Sequence, residues 1–471
     1  MSDVTNNQRN SHDDSDAAVE PYGIDPSQTT ARSKIEPLAR PSKDSMPTTQ
    51  ARAGKSVGSL TNKLDNLITP KSPRRVNDAL SRAQLPISYL EDKYDEYYEV
   101  TEENRQILHS MPWLTLAFIV ANDKGGTGKT VVQTALAEYA QMVAYGRTVT
   151  FGDTNTNQSS VQEQLSITID PNLLSFEHMS RDLYRMIDAL NSDEPNMPKP
   201  DFPLTNYRRF MEITHRTHNG LTVIPNSETY SHHVGLGIAC AVVEQAISLS
   251  YATFFDGGNK FLNPFEEAAF RSSPYRYFVC RATDSKSITG LVKTMRDFSN
   301  RGYTECVKHA LICVSEGTDD RKREMYHRMC QFADAAEMNS FGLTAENYEQ
   351  KIFTIPFSNA LSGRNVAEIP MFSLNPSNGP GFGHNDMFIE IDVALAIAKF
   401  FRGLLQSEPP TDGEMEKDFQ SAQESIRAQI EERSGNVDRE LNFPNAEEIT
   451  QRYLIMQKDA EKADNQPSVT E

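Results

Sequence analysis

The chain has 471 residues with 47 Lys/Arg against 65 Asp/Glu, a net charge of −18, and 9% aromatic and 24% charged residues. That balance fits a globular chain and excludes a protein that coats nucleic acid over its whole surface. The five cysteines are scattered, odd in number and without a CxxC pair, which excludes a disulfide framework and a zinc pattern. No apolar run approaches the ~20 residues needed to span a bilayer. The polar, acidic start "MSDVTNNQRNSHDDSD" has the features of neither a signal nor a transit peptide, so a cytoplasmic protein is expected.

Residues 1–88 are rich in Ser, Thr, Pro, Asn and Asp and poor in aromatics. Such a stretch cannot bury enough apolar surface to offset its ordering entropy. It reads as a disordered arm, with a short helix expected around "VNDALSRAQL". Residues 31–85 carry 11 Lys/Arg against 4 Asp/Glu, so the arm is basic by +7 there. Residues 89–112, with "YLEDKYDEYYEVTEE" (Tyr89–Glu103), read as an acidic, aromatic helix that docks on the domain C-terminal to it.

From Trp113 the texture changes. "WLTLAFIVA" reads as a buried strand, followed by a glycine loop and the helix "TVVQTALAEYAQMVAYG". Further strands are expected at "RTVTFGD", "GLTVIPN", "YATFFDGG", "RYFVCRA", "HALICVSE" and "KIFTIPF". Helical stretches such as "SHHVGLGIACAVVEQAISLS" and "SITGLVKTMRDFSNRG" separate several of them, and "DVALAIAKFFRGLLQ" closes the unit. Continuous apolar strands alternating with helices predict an α/β fold, a mostly parallel sheet covered by helices on both faces. The unit runs over 113–406, with an insertion of helix and loop at about 166–219. His232 and His233 fall at a helix start and carry no partner pattern. Residues 407–471 hold 7 Lys/Arg against 16 Asp/Glu and form an acidic helical tail. Within it Met415, Phe419, Ala422, Ile426 and Ile430 make one apolar stripe at helical spacing, for the domain's own surface or for a partner helix.

"NDKGGTGKT" (Asn122–Thr130) sits between the first strand and its helix. A strand entering a glycine-rich turn and then a helix aims backbone N–H groups at a polyphosphate. Gly125, Gly126 and Gly128 permit an approach that a Cβ would block. Thr127 and Val131 complete the turn. Lys129 is placed for the β- and γ-phosphates and the Thr130 hydroxyl for Mg²⁺.

The pattern GxxxxGK[ST] would want glycine at Asp123; the chain instead reads K-G-G-T-G-K-T. This resembles the deviant Walker A of the ParA/MinD family of P-loop ATPases, and the resemblance covers most of 113–406. It implies ATP and Mg²⁺ as ligands and an ATP-dependent homodimer, with Lys124 reaching across the interface to the nucleotide held by the partner. "ATFFDGG" sits where that family has its Walker B strand, which makes Asp256 the carboxylate that holds Mg²⁺ through water. "GRTVTFGD" resembles the strand that ends in the switch I aspartate, and "KIFTIPFSNALSGRN" the late strand and adenine-side loop.

The family's switch I reads D-x-D, and here Asp153 is followed by Asn155. An amide can hold the attacking water but cannot take its proton. Phosphoryl transfer depends mainly on positioning and charge, so slow, partner-stimulated hydrolysis is expected. A register in which Asp153 itself positions the water stays open. Relatives act on DNA, on membranes or on protein machines, and the site does not choose among them. DNA partition leads, through the basic arm and Arg321, Lys322, Arg323, Lys399 and Arg402. A positioning scaffold or conjugation role is the alternative. The tail is too acidic for anionic lipid, so membrane binding is not expected.

Overall fold

A strand covered on both faces reads as a near-continuous apolar run, and the runs read from the sequence are of that kind, broken by single threonines and by the polar residues at their ends. The computed structural model describes residues 87–464 apart from 112–115, 122–125, 145, 156–164, 166, 168–169, 193–206, 218–219, 227–233, 259–262, 359–360, 362–388 and 434–436. The basic arm and its short helix, His232 and His233 therefore lie outside the described residues.

The strands are β1 (Leu116–Ala121), β2 (Val149–Asp153), β3 (His215–Arg216), β4 (Thr222–Ile224), β5 (Ala252–Asp256), β6 (Tyr275–Arg281), β7 (Leu311–Ser315) and β8 (Ile352–Ile355). They form one sheet in the order β3-β4-β2-β5-β1-β6-β7-β8. All neighbours pair in parallel except β3, which runs antiparallel to β4 at the edge. That two-residue edge strand, within the expected insertion, has too short a pattern to be visible in the sequence.

The helices are α1 (Ile87–Ser110), α2 (Lys129–Val143), α3 (Phe176–Leu190), α4 (Tyr207–Ile213), α5 (Leu236–Ser248), α6 (Pro264–Ser272), α7 (Ser285–Asn300), α8 (Thr304–His309), α9 (Lys322–Met329), α10 (Ala335–Ser340), α11 (Tyr348–Lys351), α12 (Ile391–Gln406), α13 (Asp412–Arg433), α14 (Val437–Glu440) and α15 (Ala446–Asp464). Successive strand residues face opposite sides, so β1 feeds two cores. Phe118 and Val120 join α2 and α12 on one side, while Ala117 and Ile119 join α5, α6 and α7 on the other.

The acidic, aromatic helix α1 lies along α12. Buried Asn104 donates from Nδ2 to the Tyr139 hydroxyl (2.9 Å) and to the Ala398 carbonyl (2.9 Å). Glu96 and Glu103 at its surface form ion pairs with Lys399 and Arg402 of α12. The acidic tail returns to the opposite face. Ala422 and Ile430 are buried, Phe419 and Ile426 pack beside them, and Leu441 and Tyr453 extend the same core. The apolar stripe is thus covered by the chain's own helices. Arg271 of α6 holds this return, its guanidinium 4.3 Å from the Phe419 ring centre and 4.7 Å from that of Phe443. Full burial of a side chain such as Ile430 stabilises by about 2 kcal/mol.

Candidate functional site

At the carboxyl end of the sheet, the turn between β1 and α2 uses left-handed backbone twice, at Gly126 (φ 73°) and Gly128 (φ 90°). Side chains are disfavoured at both positions. At Gly128 a Cβ would also press on Ser315 Oγ at 3.3 Å. Ser315, at the end of β7, donates to the Thr127 carbonyl at 2.7 Å and so fixes the turn against the sheet. Gly128 caps α2 without a side-chain bond, which leaves the first N–H groups of the helix facing the turn.

Lys129 is buried at the first position of α2. Thr130 comes next and donates from Oγ1 to Asp256 Oδ2 at 2.7 Å. The Val131 side chain packs on the core, so contact with a ligand there would come from its backbone. Gln133, one turn on, donates to the Phe118 and Phe255 carbonyls and locks α2 over β1 and β5. Gly126, Thr127, Gly128, Lys129 and Thr130 are therefore brought to one point. Lys124 and Gly125 lie outside the described residues.

The parallel register sets Asp153 of β2 directly opposite Asp256 of β5. Beyond Asp153 the chain is tied down: Thr154 donates to the Asp256 carbonyl through both N (3.2 Å) and Oγ1 (2.8 Å). The Asn155 N–H donates to Asp153 Oδ1 at 3.0 Å. Asp153, Asn155 and Asp256 are all buried. Burial pushes the Asp256 carboxyl up from 3.8 to about 6, against the pull of the Thr130 hydrogen bond and the Lys129 charge.

A divalent cation fits these residues. The Thr130 hydroxyl and the Asp256 carboxylate are hard oxygen ligands side by side, and Asp256 Oδ1 is buried with no hydrogen-bond partner among the described residues.

Two residues here were not foreseen. Asn263 caps α6 by accepting from the Phe265 N–H, and its Nδ2 donates to the Thr154 carbonyl at 2.7 Å. Glu266, in the first turn of α6, turns its carboxyl toward Gly258 and Asn155. A Cβ built on Gly258 would stand 1.9 Å from Glu266 Oε1 and 2.9 Å from Asn155 Oδ1. Burial pushes Glu266 up to about 8; the Asp256 charge adds to the rise, while the Gly258 N–H, Lys129 and Arg301 oppose it. "NPFEE" announces a helix start in sequence, but nothing local shows which of its carboxylates enters the site.

No described helix is long and apolar enough to cross a membrane. No protein-family model matches the chain, and a search of curated proteins finds no match. Among solved structures the chain is similar to the apo form of Cyanothece McdA, at 14% identity over 61% of this chain and 99% of that one, with a TM-score of 0.40. It is similar to the septum site-determining protein MinD from Pyrococcus horikoshii, complexed with Mg-ADP, at 14% identity over 61% and 95%, TM-score 0.38. A ParA family ATPase from Chlorobium tepidum is similar at 10% identity over 62% and 99%, TM-score 0.40.

Proposed function

We propose that the chain is an ATP-dependent, dimerising switch ATPase of the ParA/MinD type. The observation that carries this reading is the Thr130–Asp256 hydrogen bond beside buried Lys129, at the mouth of a turn built on two left-handed glycines. Backbone N–H groups of the turn and of α2 bind the phosphates, and Lys129 neutralises the β- and γ-positions. Thr130, and Asp256 through water, would hold Mg²⁺, which would supply charge neutralisation to the phosphates. Lys124 serves the nucleotide of a second copy, so dimerisation follows nucleotide state. Hydrolysis is slow and partner-stimulated, because an amide stands at Asn155.

The surface on which the switch acts is DNA, in partition of a plasmid or chromosome. Of the cations named for that role, Lys322, Lys399 and Arg402 line one cleft of about 800 Å³ together with Lys308 and Lys351. Converging cations of this kind neutralise backbone phosphates without reading sequence. A second reading, a nucleotide-switched scaffold for a protein machine, is favoured by the ion pairs that already engage Lys399 with Glu96, Arg402 with Glu103 and Lys322 with Asp319.

The experiment is binding to arbitrary duplex DNA with ATP–Mg²⁺ against ADP–Mg²⁺ at one fixed salt concentration. Binding with ATP alone supports partition. Binding in neither state moves the role to the protein scaffold. Equal binding in both means that DNA contact is not gated by the switch.

A further inference from the structure

We propose that Glu266 is a catalytic residue of this site: its carboxyl oxygen Oε1, together with the Asn155 amide, holds the water that attacks the γ-phosphate. The inference rests on the ATPase reading above and supplies the acceptor beside Asn155 which that reading lacks.

Glu266 and Glu267 are adjacent on α6 and have opposite surroundings. Glu267 accepts from the Tyr303 hydroxyl at 2.9 Å and faces Arg301 at 3.8 Å, so both its oxygens have partners within the fold. Glu266 is buried, 4% exposed, and its Oε1 makes no hydrogen bond among the described residues. A buried polar atom without a partner is destabilising unless water or a ligand completes it. Completion by a water of the reaction fits its place, because the carboxyl stands beside Gly258 and the Asn155 amide and is close enough to feel the charges of Lys129 and Asp256.

The approach is built rather than incidental. Gly258 has no side chain where a Cβ would collide with Glu266 Oε1 and crowd Asn155 Oδ1. Asn263 fixes the start of α6 and also grips the Thr154 carbonyl, one residue before Asn155. The helix carrying Glu266 and the strand end carrying Asn155 are therefore tied together through Asn263.

A water between the two donates one hydrogen to Glu266 and keeps a lone pair for phosphorus. Its oxygen forms the new bond to Pγ while the bond from Pγ to the β–γ bridging oxygen breaks, and that electron pair leaves on ADP. The proton shed by the water passes to the departing inorganic phosphate. Glu266 thus acts as the acceptor that aims the nucleophile, the role an aspartate at position 155 would otherwise take.

The test compares the parent chain with Glu266→Gln, Asn155→Asp and the double variant, measuring ATP affinity, ATP-dependent dimer mass and single-turnover phosphate release. Gln retains the size of Glu, so thermal melting of Glu266→Gln checks that the fold is kept. The expected result is unchanged ATP affinity, a dimer that persists with ATP, and phosphate release slower by about 10²-fold. Asn155→Asp in the Glu266→Gln background is expected to recover part of that loss, which a merely structural role for Glu266 would not allow. Unchanged release in Glu266→Gln with intact ATP binding overturns the assignment alone, as does loss of ATP binding in that variant. If Glu266→Gln does not fold, Glu266→Asp is measured in its place: slowed release with intact ATP binding supports the assignment, and unchanged release overturns it. A parent chain that binds no ATP strikes down the ATPase reading itself, and the assignment with it.

Discussion

Thr130 and Asp256 are 126 positions apart in sequence and joined by a 2.7 Å hydrogen bond between Oγ1 and Oδ2. The bond exists because β1 pairs with β5 in a register that sets Val120 opposite Asp256, while α2 starts just past the end of β1. It brings the two hard oxygens of the site together before any ligand arrives.

Thr130→Ala removes the donor and one candidate metal ligand. The parent chain is expected to bind ATP more tightly with Mg²⁺ than without, and Thr130→Ala to lose most of that difference. Titration calorimetry with and without Mg²⁺ measures it. In the apo state the buried Asp256 carboxylate loses a partner, a destabilisation of about 1–3 kcal/mol. An undiminished Mg²⁺ effect would remove Thr130 from the metal site.

Asp256 and Glu266 have carboxyls raised by burial, from 3.8 to about 6 and from 4.5 to about 8. The folded chain holds these protons more tightly than the unfolded chain. Their contribution to stability is full below about pH 4 and is lost as the pH rises through about 6 and then about 8. The apo form of the Asp256→Asn/Glu266→Gln double variant should therefore melt progressively higher than the parent as the pH is raised. Melting temperatures across that range check it, and parallel curves would refute it.

The docking of α1 should depend on its buried amide more than on its ion pairs. Asn104→Ala deletes two buried hydrogen bonds and is expected to cost about 2 kcal/mol. Glu96→Gln with Glu103→Gln removes half-exposed pairs and should cost under about 1 kcal/mol. Chemical denaturation ranks the two. The double Gln variant also frees Lys399 and Arg402, so under the DNA reading its affinity for duplex should rise.

The return of the acidic tail has a test with a sign. Gly237 lies inside α5, and a Cβ there would fall 1.5 Å from the Asn442 carbonyl oxygen. On an uncovered helix, Gly237→Ala would stabilise by about 0.5–1 kcal/mol. With the tail seated, it should instead destabilise by about 1–3 kcal/mol and expose 412–464 to protease. Limited proteolysis and denaturant unfolding distinguish the two.

The sequence by itself determined the local parts of this protein. The strand runs into β1, β2 and β4 to β8 are legible because a doubly covered strand is a near-continuous apolar run. The turn at Gly126–Thr130 is legible because left-handed backbone favours glycine, and a lysine and a hydroxyl must come after it at fixed spacing. Asp153, Asn155 and Asp256, each at or just beyond the end of such a run, are named by the resemblance to the ParA/MinD family.

Only the tertiary structure decided what those ends face. Neither the place of β1 between β5 and β6, nor the antiparallel edge at β3, is written in any one segment. The opposite fates of Glu266 and Glu267, adjacent in chain and alike in chemistry, arise from which side of α6 meets the sheet end and which meets Tyr303 and Arg301. The stripe on α13 could have faced a partner or the chain itself, and its packing beside α8 and on Arg271 of α6 settled it. Backbone preference and hydrophobic pattern act over a few residues and leave a mark in the sequence. Side-chain encounters between distant segments depend on the packing of the whole sheet and leave none.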